Sequence, residues 1–344
     1  QTRLAASVSQ PLLEGHRLAY NLQGVRSARS SRDAAELDLM AQRQQTLADV
    51  ANAYWDLYSY QRLAEIAADA VRLAEEEQRL VHARVELGEL ASVEKSRVDA
   101  AVVQAQSDAI DGQHLAETAS DALLLLMGEA PDRAVLLTSK PLQPQGLQLD
   151  EAAVVDKALA ENPTILAMRL AVGATEDAMD NARHARLPEL AATASYAMIG
   201  YETDQAEAIA EMFSGELPEW IVGATLSMPL GNRADRGGLV SAKAAYAKSQ
   251  IELRSLEQLT AQEVRSQVRT IVSSQLKVEL AATNLRLAEE TLAAERALRE
   301  AGRGIQKDVL ESMTTVQDAR VGLETARADL QLAVIELERL EGAL

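Results

Sequence analysis

The chain has 344 residues, of which 25% are charged and only 3% aromatic, with no cysteine and a formal net charge of −18 at pH 7. That acidic balance leaves no basic stripe to neutralise phosphates and excludes a nucleic-acid binder. Without cysteine there are no disulfides and no thiolate chemistry, and no apolar run reaches the roughly 18 residues that a transmembrane helix needs. Ala, Leu, Glu, Gln and Arg dominate, a composition that favours long helices. All eight prolines lie outside 12–130 and 230–344. Because proline costs about 3 kcal/mol inside a helix, both tracts are predicted to be helical almost throughout.

Residues 1–12 alternate, with Leu4, Ala6 and Val8 on one side and Ala5, Ser7 and Ser9 on the other, which predicts a strand ending at Pro11. From Gly15 to Leu87 the pattern is helical. Gly88 breaks it, and Ser92 is placed to cap a returning helix that runs to about Met127, before Gly128 and Pro131. The apolar stripes are narrow and Ala-rich, as in helices packed side by side in coiled-coil fashion. A Pro/Gln/Leu linker over 131–150 precedes two shorter helices, around 151–161 and 163–186, with Pro163 early in the second where a missing N–H is tolerated.

Pro188 opens a second alternating region. Leu190, Ala192, Ala194, Tyr196 and Met198 face one way; Ala191, Thr193, Ser195 and Ala197 face the other. After an acidic loop over 202–218, Val222, Ala224, Leu226 and Met228 alternate with Gly223, Thr225 and Ser227. Two strands of about ten residues, apolar on one face and small or polar on the other, match a hairpin of a transmembrane barrel. Trp220, Tyr201 and Phe213 near the strand ends suit an interfacial aromatic girdle. A soluble hairpin packed on the helices is the competing interpretation.

An internal duplication organises the chain. Arg72, Leu73, Ala74, Glu75 and Glu76 align without a gap on Arg286, Leu287, Ala288, Glu289 and Glu290, an offset of 214. The same offset relates Gly88 to Gly302, Val102 to Val316, Ala105 to Ala319, Leu126 to Leu340 and Gly128 to Gly342. The strands share it loosely: Val8-Ser-Gln-Pro11-Leu12 is echoed by Leu226-Ser-Met-Pro229-Leu230.

Signs of catalysis are missing. The four histidines (16, 82, 114, 184) are expected to be scattered on helix surfaces, and none stands at metal-ligand spacing. No P-loop, GxGxxG or GxSxG occurs, and Gly302-Arg303-Gly304 has neither the further glycine nor the preceding strand of a phosphate cradle. The carboxylates fall at the spacing of solvated helix faces. No enzyme activity, cofactor or metal is expected.

Strand, long helical hairpin, linker, short helices, strand, loop, strand and second long hairpin resembles the TolC-type outer-membrane efflux proteins. Ala53-Tyr54-Trp55-Asp56-Leu57-Tyr58 resembles a stretch of that family's first long helix. Arg84-Val-Glu-Leu-Gly88-Glu-Leu-Ala-Ser92 resembles its hairpin tip, Leu126-Met127-Gly128 its hairpin end, and Leu187-Pro188 and Met228-Pro229-Leu230-Gly231 its barrel boundaries. The resemblance implies a mainly α fold with a small β part. Long helical hairpins would form a periplasmic α-barrel, and a transmembrane β-barrel would be shared by a homotrimer. The expected layout is a barrel strand at 1–14, a first hairpin at 15–130, a linker and short equatorial helices at 131–187, a barrel hairpin with an extracellular loop at 188–230, and a second hairpin at 231–344. The family's first helix and first strand would precede Gln1, so the N-terminus, with its signal peptide and any lipid-anchoring cysteine, is expected to lie outside this sequence.

Function follows from the resemblance in the same way. The implied role is a passive exit duct in the bacterial outer membrane, reaching into the periplasm, for a tripartite efflux pump or a type I secretion system. Its partners would be a periplasmic adaptor, an inner-membrane transporter and outer-membrane lipid. The acidic constriction of the family falls on Asp308 and Glu311, whose i, i+3 spacing puts both on one helix face. Adaptor contact falls on the two tips: Leu87, Gly88 and Leu90, and Gly302, Arg303, Gly304 and Ile305. Two glycines in the second tip are expected to give it slack. Where relatives carry a tyrosine and an arginine that hold the tip closed, this chain has Arg299 and Gly304, so its closing network is expected to differ. The alternative, motivated by charge and the absence of long apolar segments, is a soluble coiled-coil scaffold without transport.

Overall fold

The computed structural model describes residues 2–137, 149–200, 210, 213 and 218–344. Most of the linker, Tyr201 and nearly all of the acidic loop lie outside them. In chain order the described elements are β1 (Thr2–Pro11), α1 (Leu18–Asn21), α2 (Gln23–Glu86), α3 (Val93–Leu126), α4 (Glu151–Glu161), α5 (Pro163–His184), β2 (Glu189–Gly200), β3 (Pro218–Ser227), α6 (Arg233–Glu300) and α7 (Gln306–Glu341). They form two compact units, Gln1–Leu39 with Pro163–Gln258, and Met40–Asn162 with Leu259–Leu344. Helices α2 and α6 contribute to both.

In the first unit the three strands make one antiparallel sheet in the order β1-β2-β3. Its register places Leu4 opposite Met198, Val8 opposite Ala194, Tyr196 opposite Trp220 and Leu190 opposite Leu226. Directly paired residues share a face, so Leu4, Ala6, Val8, Tyr196, Trp220, Val222 and Leu226 form one apolar side. The opposite side carries Ser7, Ser9, Thr193, Ser195 and Thr225, with Arg3 and Glu219 paired at 3.1 Å across β2. The apolar side is uncovered: Trp220 is 74% exposed, Val222 72% and Val8 69%. The soluble hairpin packed on helices is therefore not what forms. Beneath the sheet, α5 meets the first part of α6, with the Thr175 and Ser249 hydroxyls 2.8 Å apart and Arg169 paired with Glu257 at 3.1 Å.

The second unit holds the two hairpins. Its largest core joins Val155 and Ala158 of α4 to Val264, Val268 and Ile271 of α6 and Leu330, Ala333, Leu337 and Leu340 of α7. Ile271 and Val264 are fully buried, and burying such a side chain contributes about 1.5–3 kcal/mol. Two smaller cores repeat one another. Ala74, Val102 and Ala105, with Val71, cluster in the first hairpin; Ala288, Val316 and Ala319, with Leu285, cluster in the second. Each of these four sits 214 residues from its counterpart, and only Leu292, added to the second core where the first has Gln78, breaks the match, so the duplication is one of packing as well as of letters.

Helix ends follow the same rule. Gly88, Gly302, Gly128 and Gly342 all take positive φ, between 71° and 78°. Each time the amide after the glycine bonds back five residues: Glu89 to Arg84, Arg303 to Leu298, Glu129 to Leu124, Ala343 to Glu338. This is the Schellman closure, in which glycine avoids the Cβ penalty of the left-handed region. One expected cap is not made. Ser92 already has helical angles (φ −60°, ψ −24°), so its hydroxyl is not directed at the first free amides and makes no capping bond. Pro163 is the first residue of α5, as its missing N–H requires.

Candidate functional site

The two hairpin tips and the polar groups behind the second one are the places where this chain concentrates unusual chemistry. At the first tip, Leu87 and Gly88 are exposed and Leu90 is half-buried. At the second, Gly302, Arg303 and Ile305 are exposed and Gly304 is half-buried. Exposed Leu87 and Ile305 give both turns an apolar crown that nothing described in the chain covers.

Gly304 does not supply the slack expected of it. Its amide bonds the Leu298 carbonyl at 3.0 Å, and a Cβ there would lie 2.8 Å from the Arg299 backbone nitrogen. The turn is folded tightly against the end of α6, and glycine is needed for that close approach rather than for freedom.

Directly behind this turn is a buried polar triad. Arg299 at the end of α6 donates to the Glu77 carboxylate of α2 and, at 3.2 Å, to the Gln306 carbonyl oxygen; Gln306 in turn donates to Glu77 at 2.9 Å. The three are 8%, 6% and 5% exposed. A carboxylate and a guanidinium this far from water persist only when each satisfies the other. The triad therefore fixes the second hairpin to the first. Acidic Glu75-Glu76-Glu77 looks like any solvated coil face, so sequence reasoning missed it. A signal did exist: at an offset of 214 the three positions read Val85, Thr291 and Ser92, departures from the duplication at all three places.

The first hairpin is tied differently, across its own two helices. Gln78 and His82 of α2 both reach the Asp99 carboxylate of α3, at 2.8 and 2.9 Å. The Gln78 hydrogen bond holds Asp99 below the usual carboxylate range against the opposing effect of burial, with a lesser contribution from His82. In the second hairpin the matching residues are Leu292, Arg296 and Met313, so no such tie is made.

Asp308 and Glu311 lie in the first two turns of α7. The buried face of that helix carries Gln306, Val309, Val316 and Ala319; Asp308 is half-buried and Glu311 exposed. Among the described residues neither carboxylate has an ion-pair partner. The counterparts in the first hairpin are Glu94 and Arg97, which neutralise each other at 3.0 Å. The second copy thus replaces an internal ion pair by two like charges. A carboxylate in the first turn is favoured by the helix dipole, which accounts for Asp308 but not for Glu311.

No group of three or more potential metal ligands occurs among the described residues. Two histidines expected to be scattered are in fact neighbours, His16 and His184, with ring centroids 5.6 Å apart.

An uncovered apolar sheet joined to duplicated helical hairpins defines a class, the TolC-like outer-membrane channels. The fold superimposes on the outer membrane protein VceC of Vibrio cholerae with a TM-score of 0.76, at 18% identity, over 99% of this chain and 86% of that one. The family model described as outer membrane efflux protein matches residues 1–129 and 154–343, and the chain belongs to that family. It is 26% identical to the outer membrane efflux protein BepC of Brucella suis over 90% of this chain and 68% of the relative. To the outer membrane protein TolC of Vibrio cholerae it is 23% identical, over 90% and 70%. The chain is accordingly a non-enzymatic outer-membrane protein of the efflux-channel type, extending into the periplasm. Membership displaces the soluble-scaffold alternative.

Proposed function

We propose that three copies of the chain close into a single tube that serves as the exit duct of a tripartite efflux pump or a type I secretion system. The observation that carries this is the sheet. Its apolar face is bare and neither β1 nor β3 has a second neighbour among the described strands. In hydrocarbon every backbone polar group must be satisfied, so open edges demand closure into a barrel. Equivalent strands of other copies supply that closure, with the serine and threonine face turned to the lumen. The helical hairpins continue the duct through the periplasm.

In this reading the tips at Leu87, Gly88 and Leu90 and at Gly302, Arg303, Gly304 and Ile305 point away from the membrane and meet the helical hairpin of a periplasmic adaptor. Energy comes from an inner-membrane transporter. Asp308 and Glu311, repeated by three-fold symmetry, line the constriction that keeps the resting duct shut. Photo-crosslinkers at Leu87 and Ile305 are expected to capture the adaptor in intact cells, and the purified chain to run as a heat-modifiable trimer that requires detergent. A monodisperse, detergent-free monomer would overturn the duct, and crosslinks arising only from the 202–218 loop would invert its orientation.

A further inference from the structure

His16 and His184 meet at the point where the sheet hands over to the helices. His16 lies in the turn after β1, and His184 is the last residue of α5, shortly before β2. Their rings are edge to face, 5.6 Å between centroids, and the Tyr20 ring of α1 lies 6.1 Å from that of His184. The same turn is stitched to the start of β2 by two backbone bonds, Leu12 N–H to the Leu190 carbonyl at 2.7 Å and Glu14 N–H to the Pro188 carbonyl at 3.3 Å. The imidazole pair thus sits over the seam that holds β1 and β2 at their helical ends.

A hydrogen bond assigns the proton on His16. His16 Nδ1 faces the Leu13 carbonyl, which can only accept, so this nitrogen carries the hydrogen. His184 Nδ1 is buried and has no partner among the described residues. In the neutral ring that nitrogen can remain a bare lone pair, and no charge is buried with it. Protonation would place an N–H there with no acceptor, in a site already crowded by positive charge. Arg17 and His16 oppose it, and Asp180 on α5 favours it but is itself paired with Arg183 at 2.7 Å. On the Tyr20 side the charged neighbours are Glu14, whose carboxylate accepts from the Tyr20 hydroxyl at 3.4 Å, and Asp235 of α6.

We propose that this cluster is an acid-sensitive joint: neutral His184, packed edge to face against His16, holds the turn after β1 against the connection into β2, and its protonation loosens it. Burial first, then the charges of Arg17 and His16, set His184 below the ordinary imidazole range. The sign follows. Above the ordinary value near 6.5 both the closed and the opened joint are neutral, and the joint has its full stability. As pH falls below that value the opened form takes up the proton first, so stability is lost down to the depressed value of the closed form.

The test is hydrogen exchange of the detergent-solubilised full chain at about pH 7.5 and about pH 5.5, either side of the imidazole value, corrected for intrinsic exchange. Peptides covering 10–18 and 183–191 are expected to lose protection at the lower pH, while peptides covering 309–323 keep theirs. The pH dependence should disappear in His184→Phe, which keeps a ring against Tyr20 but cannot titrate, and should weaken in Arg17→Gln. If wild type shows no loss at the seam, or if His184→Phe with His16→Gln loses protection by the same factor as wild type, the joint is not governed by these rings.

Discussion

Arg299 and Glu77, separated by 222 positions in the chain, form a buried ion pair whose only further polar partner among the described residues is Gln306. Nothing equivalent joins the hairpins in the other direction among the described residues, since Val85 and Thr291 occupy the duplicated positions. The duplication therefore produced two hairpins of like packing but unlike anchorage. The first is closed on itself through Asp99; the second is closed on itself by Arg320 with Glu289 at 3.2 Å and is held by its neighbour through Glu77 as well.

Removing one member of the pair leaves an uncompensated buried charge, which costs about 3–5 kcal/mol, whereas replacing both by apolar groups of similar size is close to neutral. Arg299→Met is thus expected to accelerate amide exchange in peptides covering 298–310 by a factor of hundreds or more, corresponding to the quoted energy. Arg299→Met with Glu77→Leu should restore most of that protection. The exposed pairs Arg72–Glu76 and Arg286–Glu290, themselves duplicates, serve as controls, because such pairs contribute only about 0.3–0.5 kcal/mol. Equal protection in the single and double variants would show that the triad is not the anchor.

The tip glycines separate two physical roles. Gly302→Ala meets open space but a left-handed backbone (φ +71°), a penalty of about 1–2 kcal/mol. Gly304→Ala has no such φ and instead drives a Cβ into the backbone of Leu298 and Arg299, which displaces the very residue that reaches Glu77. Limited proteolysis at the second tip should rise in both, but loss of protection around Glu77 on α2 is expected only in Gly304→Ala. The same pattern for both variants would remove the link between turn packing and the triad.

How far these features could be foreseen depended on how local their causes are. Strand alternation around Leu190 and Val222, the breaks at Gly88 and Gly302 and the start of α5 at Pro163 are set by neighbouring residues, and the structure shows them where the pattern predicts. The common offset even locates the paired cores, because Ala74, Val102 and Ala105 keep their spacing at Ala288, Val316 and Ala319. Contacts between distant stretches were opaque. Glu77 lies in a run of three glutamates, His16 is remote from His184, and only folding reveals which of many exposed-looking charges lose their water. The role of Gly304 was misread for the same reason: spacing shows a helix breaker, while the approach of Arg299 is a tertiary fact.

The tie at Asp99 has its own pH window. Its folded-state value is depressed, by Gln78 first and His82 after it, so its contribution is fully present above the unfolded carboxylate value near 4. That contribution is lost as pH falls through the lower folded value. Asp99→Asn should loosen α2 against α3 at neutral pH, measured by exchange in peptides covering 76–84 and 97–103, and should abolish further loosening of this pair below about pH 4. Retention of the wild-type acid response in Asp99→Asn would assign that response to other carboxylates.

The last prediction concerns Asp308 and Glu311. In the first hairpin the corresponding positions neutralise each other through Glu94 and Arg97 at 3.0 Å, so the fold does not require two acids here. Like charges at i, i+3 repel by a few tenths of a kcal/mol on an isolated helix, a cost that no ion pair offsets among the described residues, although Lys307 adjoins Asp308. Repeated on three symmetry-related helices, they would present six carboxylates around a narrow aqueous axis, a ring that favours cations and retains multivalent ones. In planar bilayers Asp308→Ala with Glu311→Ala is expected to lower cation over anion selectivity and to weaken block by multivalent cations by at least tenfold, about 1.4 kcal/mol, with the trimer intact. Glu311→Arg, which rebuilds the ion-pair arrangement of the first hairpin, should do so to a similar extent without deleting Asp308. Selectivity and cation block unchanged in both variants would place these carboxylates on an ordinary solvated face and the constriction elsewhere on the second hairpin.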